Sequence, residues 1–526
     1  MNTMPAKPSF TLPMTLVLVL ALTLAGCSDE VGSNLDESVD ASPTEETLPP
    51  SSRETVLWEL EEWALQNPSY SENPFDLVAT VTFEHQGSDK THVTEMFYDG
   101  DDTWKFRFTG TRTGTWTFTT ASDDSDLNGY SGTITVLDNP SPDARGFITN
   151  IGNKWAWQKG DGTAEAFVPH FRMAFADLQP LNNFTDTFIS DRISTYVDTE
   201  GFNGLFMFMA AAWVDPTGPY EHRWSSTPNR NPSIASFDAV ERVIQALHAR
   251  GAALHMWYVG DCGRNQCAQE AFGDNGAATT EEQRLLRYIA ARLGPLPGWV
   301  MGYGYDNNEH VNTSEMESWG AHLRSKMGWK HLLGARDQGE NINYTFWPGA
   351  DFYSRGNWFN GASYADVRDV LQSAPSVPHS FDERWWQGRQ SEEEMRRQLW
   401  ILNMAGGASG MFGWPGYPGI DPFPNTDWFK TFFRFWEGRF SSNLTPNNTI
   451  TNGYGLVNDD GDQYIFYRED ASSISVDLSS MTGPQSAIAV NAKSTYQEID
   501  LGKFGPTNQT ISLPGTSDWA IAIGAF

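Results

Sequence analysis

Two short stretches carry the side chains best suited to acid–base chemistry. Tyr305-Asp306-Asn307-Asn308-Glu309-His310 and Phe381-Asp382-Glu383-Arg384 each end an apolar run in carboxylates, beside amide, imidazole or guanidinium groups. Two carboxyl groups far apart in sequence but facing one cleft can divide the work at an acetal carbon. One stays protonated and donates to the leaving oxygen, while the other is ionised and attacks. A separation of about 5 Å suits double displacement with retention, and about 6.5–9.5 Å leaves room for water and inversion. Burial and mutual repulsion raise the acid's pKa, hydrogen bonds hold the nucleophile ionised, and Tyr305, His310 and Arg384 stand ready to tune them. At the second stretch Asp382 and Glu383 compete, because neighbouring residues of a strand point to opposite faces; Glu383 is the preferred nucleophile.

Other chemistries find less support. Ala408-Ser409-Gly410 lacks the Gly-x-Ser-x-Gly elbow, and no Gly-rich phosphate or dinucleotide turn follows a strand. His255, His331 and His379 lie along apolar runs without the spacing of a zinc site. Asp124-Ser125-Asp126-Leu127-Asn128-Gly129 starts like a calcium loop, but Thr135 stands where the bidentate Glu belongs, so a polar turn is expected. Neither a metal nor a cofactor is assigned.

The elements that must position these residues follow from periodicity. Between residues 141 and 438, short continuous apolar runs alternate with amphipathic stretches, the pattern of βα units whose strands are buried on both faces. The runs Phe167–Phe175, Gly204–Ala211, Ala252–Val259, Trp299–Tyr305, His331–Ala335, Asp351–Ser354, Val377–Phe381 and Gly410–Trp414 number eight, predicting a (β/α)₈ TIM barrel of the α/β class. Ser236 is the expected cap of a helix from Phe237, and Thr279/Glu282 and Ser391/Glu394 read as capping boxes. Active sites of such barrels form at the carboxyl ends of the strands. That places Glu309 after the fourth strand and Glu383 after the seventh, with Trp213, Trp257, Tyr305, Arg355, His379, Arg384 and Trp414 as substrate-facing candidates.

Period-two alternation on either side, as in Trp104, Phe106, Phe108 and later Ile474, Val476, Leu478, predicts antiparallel β-sandwiches over residues 56–140 and 439–526. The net charge of −31 argues against a nucleic-acid partner, whose phosphates need clustered Lys and Arg. Residues 28–55 are acidic, rich in Ser and Pro and poor in large apolar side chains, as expected of a tether. Residues 1–27 form an export signal with a short apolar run ending Leu24-Ala25-Gly26-Cys27. It resembles a bacterial lipoprotein signal, which implies cleavage before Cys27, acylation of its thiol and attachment to a membrane, at the outer membrane or cell surface. Cys262 and Cys267 remain, and in an oxidising compartment they could close a small loop as a disulfide.

The strand endings resemble those of the clan A glycoside hydrolases, in which Asn-Glu after strand four carries the acid/base and a Glu after strand seven is the nucleophile. By that resemblance Glu309 is the acid/base, Asn308 bonds the sugar 2-hydroxyl, Glu383 forms the glycosyl-enzyme and Trp414 floors the subsite. The layout also resembles bacterial glycosidases with a small leading sandwich and a trailing collagen-binding-like one. Tyr98-Asp99-Gly100-Asp101-Asp102-Thr103-Trp104 and Gly114-Thr115-Trp116 match the leading module's turns. The resemblance implies a retaining glycosidase acting on an extracellular polysaccharide or oligosaccharide. Arg336, Arg355, His379 and Arg384 would suit an anionic one such as an agar- or carrageenan-type galactan. A non-catalytic glycan-binding lipoprotein and a polysaccharide lyase are the alternatives, and oligomeric state is left open.

Overall fold

The computed structural model describes residues 49–160, 162–173, 180–218, 224, 230–337, 347–355, 362–386, 390–414 and 422–526, with the side chains of 337, 383–386 and 414 also outside the description. The signal, most of the tether and Cys27 therefore lie outside the described residues.

Eight parallel strands close into a barrel: His170–Arg172, Gly204–Phe208, Ala253–Trp257, Trp299–Gly302, Leu333–Asp337, Phe352–Arg355, His379–Trp386 and Ser409–Trp414, with the last pairing back to the first. Each falls on one of the eight apolar runs. The runs are apolar throughout because alternate residues serve two cores. Phe171, Phe206, Ala253, Val300, Phe352 and Met411 pack inside the barrel, while Leu205, Met207, Leu254, Met256, Trp299 and Met301 face the helices. Burying such side chains contributes roughly 1.5–3 kcal/mol each.

The helix caps refine the expectation. The helix Ile234–His248 is capped by Ser233, not Ser236, so it begins soon after Pro232 and Ser236 is buried in its first turn. Thr279 caps Thr280–Leu293 by accepting from Glu282 N, but the Glu282 carboxylate turns to Ala277 N (2.9 Å) and Tyr258 Oη (3.3 Å) instead of returning to the cap. Ser391 and Glu394 form the reciprocal box at Glu392–Met404.

The foot of the barrel is closed by an antiparallel three-stranded sheet, Ile148–Ile151, Lys154–Gln158 and Ala164–Ala166. Its Trp155 and Trp157 join the barrel-interior core, and Trp155 Nε1 donates to His379 O at 3.2 Å.

Before the barrel, a five-stranded sheet (Ser52–Val56, Ser131–Leu137, Gly114–Ser122, Ala79–His85, Thr91–Glu95, in spatial order) faces a three-stranded one built on Leu60–Gln66, Thr103–Thr109 and Phe97–Tyr98. They share a core of Trp63, Phe83, Trp104, Phe106, Phe108, Trp116 and Phe118. The edge strand Ser52–Val56 pairs in parallel with Ser131–Leu137, so ordered structure starts inside the stretch read as tether. Arg107 of this module donates to Glu241 at 2.7 Å and to Arg292 O at 2.9 Å, both on barrel helices. His92 stacks between Trp116 and Trp329 and bonds Gly328 O at 2.7 Å, fixing the module against the barrel.

After the barrel, six antiparallel strands make one sheet. One face, with Leu456, Ile465, Tyr467, Val490 and Ala520, packs on barrel-helix residues Leu399, Trp400 and Phe435. The two longest strands, Tyr464–Asp477 and Asn508–Ile523, shift register between Arg468 and Ser473. Such irregularities bend strands, and both halves, Phe466 and Ile521 with Val476 and Ile511, contribute to a single second core.

Candidate active site

Side chains past the carboxyl ends of barrel strands face a common cavity. Beyond the fourth strand, Tyr303 N still donates to Gly334 O at 2.8 Å, and the chain then turns at Asp306, whose φ is +54°. Asp enters this left-handed region more readily than most residues because its short side chain bonds locally. The turn starts the 3₁₀ segment Asn307–Glu309, which turns Asn307 into the protein and leaves Asn308 and Glu309 exposed. Asn307 Oδ1 accepts from Arg336 N at 3.0 Å, and Asp306 Oδ1 accepts from Arg336 Nη2 at 3.2 Å. The buried amide is therefore that of Asn307, while Asn308, expected to bond the sugar 2-hydroxyl, is exposed after the left-handed turn. Glu309 N donates to Asp306 O at 3.0 Å, with its side chain at the exposed end of the turn.

On the seventh strand, Phe381 faces the helices, and Ser380 and Asp382 face the interior. Ser380 Oγ donates to Asp382 Oδ1 at 2.6 Å, and both residues are buried. Burial pushes the His255 imidazole below its ordinary pKa, and the Asp382 carboxylate opposes that fall. Strict alternation would turn Glu383 outward. Pairing with the eighth strand is irregular between Phe381 and Trp385, however, so the one-in, one-out rule does not carry past Asp382. The side chains of Glu383, Arg384 and Trp414 lie outside the described residues.

An aromatic wall rises on the third and fourth strands. Trp257 packs edge-on to Phe206 (4.5 Å between ring centres) and against Tyr305 (5.3 Å), and Phe208 lies 5.8 Å from Tyr305. The Arg336 guanidinium sits 5.5 Å over Trp257, and that of Arg264 5.4 Å over Tyr305. Tyr305 Oη donates to Gln266 Oε1. Arg264 and Gln266 lie in the loop that the Cys262–Cys267 disulfide closes, so the small ring holds two residues against Tyr305.

Trp213, Trp257, Tyr305, Arg355 and His379, all expected to face the substrate, are buried. Trp213 is fully buried among helix residues, its Nε1 donating to Tyr258 O at 2.9 Å and its ring 5.1 Å from Phe237. Ala210, with φ +41°, starts the 3₁₀ turn Ala210–Trp213 that carries the indole outward. His379 is buried, and desolvation pushes its pKa down to about 3, so it bears no charge for an anionic ligand. Arg355, on the sixth strand, is also buried.

Sequence reasoning did not pair Arg172, a first-strand residue, with Glu200, and the two form a buried pair at the mouth. Arg172 Nε donates to Glu200 Oε2 at 2.9 Å and its Nη1 to Gly413 O at 2.6 Å, while Glu200 Oε1 accepts from Phe423 N at 2.7 Å. These bonds tie the first strand to the end of the eighth. Gly413 is required there: its φ is +76°, and an added Cβ would lie 2.0 Å from Arg172 Nη1.

Comparison with known proteins bears on the fold. Residues 54–123 match the model of a family described as a domain of unknown function, DUF5060. No curated protein matches the chain. Among solved structures, a Bacteroides vulgatus protein provisionally assigned as a glycoside hydrolase is similar over 90% of this chain and 100% of its own, at 16% identity and a TM-score of 0.66. A glycoside hydrolase family 5 protein of the same organism covers 73% of this chain and 93% of its own, at 14% identity and a TM-score of 0.54. A third, named simply as a glycoside hydrolase, gives 73% and 97%, 14% identity and a TM-score of 0.52. At these identities the likeness establishes a shared architecture, a parallel eight-stranded barrel flanked by antiparallel sheets.

Proposed function

We propose that this chain is a retaining glycoside hydrolase acting on an extracellular polysaccharide or oligosaccharide, with Glu309 as acid/base and Glu383 as nucleophile. The observation that carries the reading is a closed parallel barrel whose fourth and seventh strands both end in carboxylates, in an architecture it shares with proteins named as glycoside hydrolases. The acid donates its proton to the departing glycosidic oxygen as the nucleophile takes the anomeric carbon. It then removes a proton from the water that releases the sugar. Tyr305, nearer the mouth than the sealed Trp257, is the aromatic side chain assigned to a sugar ring's C–H face.

Galactans of the agar and carrageenan type are the first substrates to assay. With His379 neutral and Arg336 engaged by Asp306, the cationic case for an anionic glycan rests on Arg355 and Arg384. Export and acylation at Cys27 complete the proposal, and Cys27→Ser should move the protein from the membrane to the soluble fraction.

The decisive assay is release of reducing ends from a panel of sulfated and neutral glycans. Glu309→Gln and Glu383→Gln should each lower turnover by roughly 10²–10⁴-fold or more without loss of fold. Product anomers followed by NMR should show retention. Binding without turnover would favour a glycan-binding lipoprotein, and an unsaturated product absorbing in the ultraviolet would favour a lyase.

A further inference from the structure

A cavity of about 1060 Å³ opens at the seam between the leading module and the foot of the barrel. One wall comes from the module, with the start of the edge strand Thr91–Glu95 and residues 111–113. A second comes from the foot sheet, with Thr149, Asn150 and Gln158, and a third from residues 328–331 and Asp351, which lead into the fifth and sixth barrel strands. Because those segments precede their strands, the cavity lies at the end of the barrel opposite the mouth. Its size stands at the top of the range usual for ligand sites, about 300–1,000 Å³.

The charge of the lining is opposite to that of the protein. The chain carries a net charge of −31, yet Lys90, Arg112, Lys159, Arg324 and Lys330 line this cavity against two described carboxylates, Asp138 and Asp351. Asp351 is shared by Arg324 at 2.7 Å and Lys330 at 3.4 Å, and Lys159 reaches Glu165 at 3.3 Å. Lys90 and Arg112 are exposed and have no ion-pair partner among the described residues. His92 and His331 add no charge, because burial pushes each imidazole down to about 4. A concave surface lined by one sign of charge concentrates ligands of the other.

The cavity is built from fixed parts. Trp58, Phe147 and Trp329 in its lining are buried. Trp58 holds a φ of +71°, which a bulky residue rarely takes, and its N donates to Gly110 O at 3.1 Å. Its ring lies against Gly146, where a Cβ would come within 2.6 Å of the indole. His92 bonds both Gly328 O (2.7 Å) and Thr111 Oγ1 (2.9 Å), which ties barrel to module at the cavity. A site formed in advance loses less to ordering when a ligand binds.

We propose that this cavity is a second, non-catalytic glycan site, which takes sulfated or carboxylated sugar units of an anionic polysaccharide and holds the chain on the protein away from the mouth. Guanidinium and ammonium groups bond sulfate and carboxylate oxygens, and the hydroxyls and amides of Thr91, Thr149, Asn150 and Gln158 suit a sugar's hydroxyls. A lipid surface fits less well, since membrane-binding faces set exposed apolar side chains beside their cations, whereas the aromatic residues here are buried. The assignment depends on the cavity and its charges, and not on the hydrolase reading above.

The test is isothermal titration of the full chain, at about 0.15 M salt, with oligosaccharides of κ-carrageenan (sulfated), alginate (carboxylated) and agarose (neutral). The parent should bind at least one anionic set about tenfold or more tightly than the agarose set, since one charge-assisted contact is worth about that much. Lys90→Glu/Arg112→Glu should erase this preference, and Lys330→Glu should weaken it; all three side chains are exposed, so the fold should survive. Arg434→Glu/Lys503→Glu makes the same charge change on exposed residues outside the cavity and should leave Kd within about twofold. On a short substrate, Lys90→Glu/Arg112→Glu should keep the parent kcat/KM, which separates the cavity from the mouth. The proposal is overturned by a parent without anionic preference, by an unchanged Kd in the cavity variants, or by an equal loss in the control. Binding confined to phosphatidylglycerol vesicles overturns it too and makes the cavity a lipid contact. If no glycan is hydrolysed, the titrations still read the cavity, so the hydrolase reading can fail alone.

Discussion

The Arg172–Glu200 pair gives the sharpest test of how the barrel mouth is held. Both side chains are completely shielded from solvent, so neither charge is compensated by water when its partner is removed. Glu200→Gln keeps the shape but discards the charge, and it puts an amide NH₂ where one of two acceptors was needed, facing either Arg172 or Phe423 N. Breaking one side of a buried ion pair costs about 3–5 kcal/mol, a large part of the 5–15 kcal/mol that typically stabilises a domain. At roughly 2–4 °C per kcal/mol, Tm should fall by about 10 °C. Because Gly413 O is held by the same guanidinium and precedes Trp414, kcat/KM on the native glycan should fall further than stability alone explains. Differential scanning calorimetry and glycan hydrolysis below the transition read the two effects. The double variant Arg172→Met/Glu200→Leu removes both charges together and should recover most of the lost Tm. A fall under about 2 °C in Glu200→Gln, or a double variant no better than the single, would refute the argument.

Three further outcomes are expected. Trp329→Ala, which removes one side of the His92 stack and the donor to Thr109 O, should cost about 3–5 kcal/mol and expose the leading module to proteolysis before the barrel. Burial pushes the Glu282 carboxyl up to about 8, so the stability linked to it is complete below the ordinary carboxylate range and is lost as pH rises through about 8; the Tm of Glu282→Gln relative to the parent should therefore climb between pH 5 and 9. Trp257 is sealed in the interior core and Tyr305 lies nearer the mouth, so Trp257→Ala should mainly lower Tm, while Tyr305→Ala should mainly raise KM, as calorimetry and steady-state kinetics would separate.

The barrel was legible in the sequence because its strands are buried on both faces: eight apolar runs cannot be hidden by alternation, and the observed strands all fall within or beside them. The leading module was equally plain from Trp104, Phe106 and Phe108 alternating with polar neighbours. What periodicity does not encode is a change of backbone direction. Asp306 and Ala210 both take positive φ just past a strand, and each redirects the side chains that follow. That is why Asn307 is buried while Asn308 is exposed, and why Trp213 packs in the helix layer. The parallel edge at Ser52–Val56 escaped for another reason: Ser52-Arg53-Glu54-Thr55 has one buried side chain and reads as tether until Thr133 and Val136 are found beside it.

The polar row Arg336, Ser354, Ser380 and Ser409 inside the barrel follows from the same rule of alternation, seen across strands instead of along one. Register links Arg336 to Ser354, Ser354 to Ser380 and Ser380 to Ser409, although these residues are spread over 74 positions of sequence, and no local pattern marks any of them as belonging with the others. Read singly, each is a small or charged residue in an apolar run and would be taken as an imperfection of the strand. Aligned by the barrel, they make one polar row beside the interior apolar residues Phe352 and Met411. Only the closed barrel, which sets these four strands side by side, brings them together.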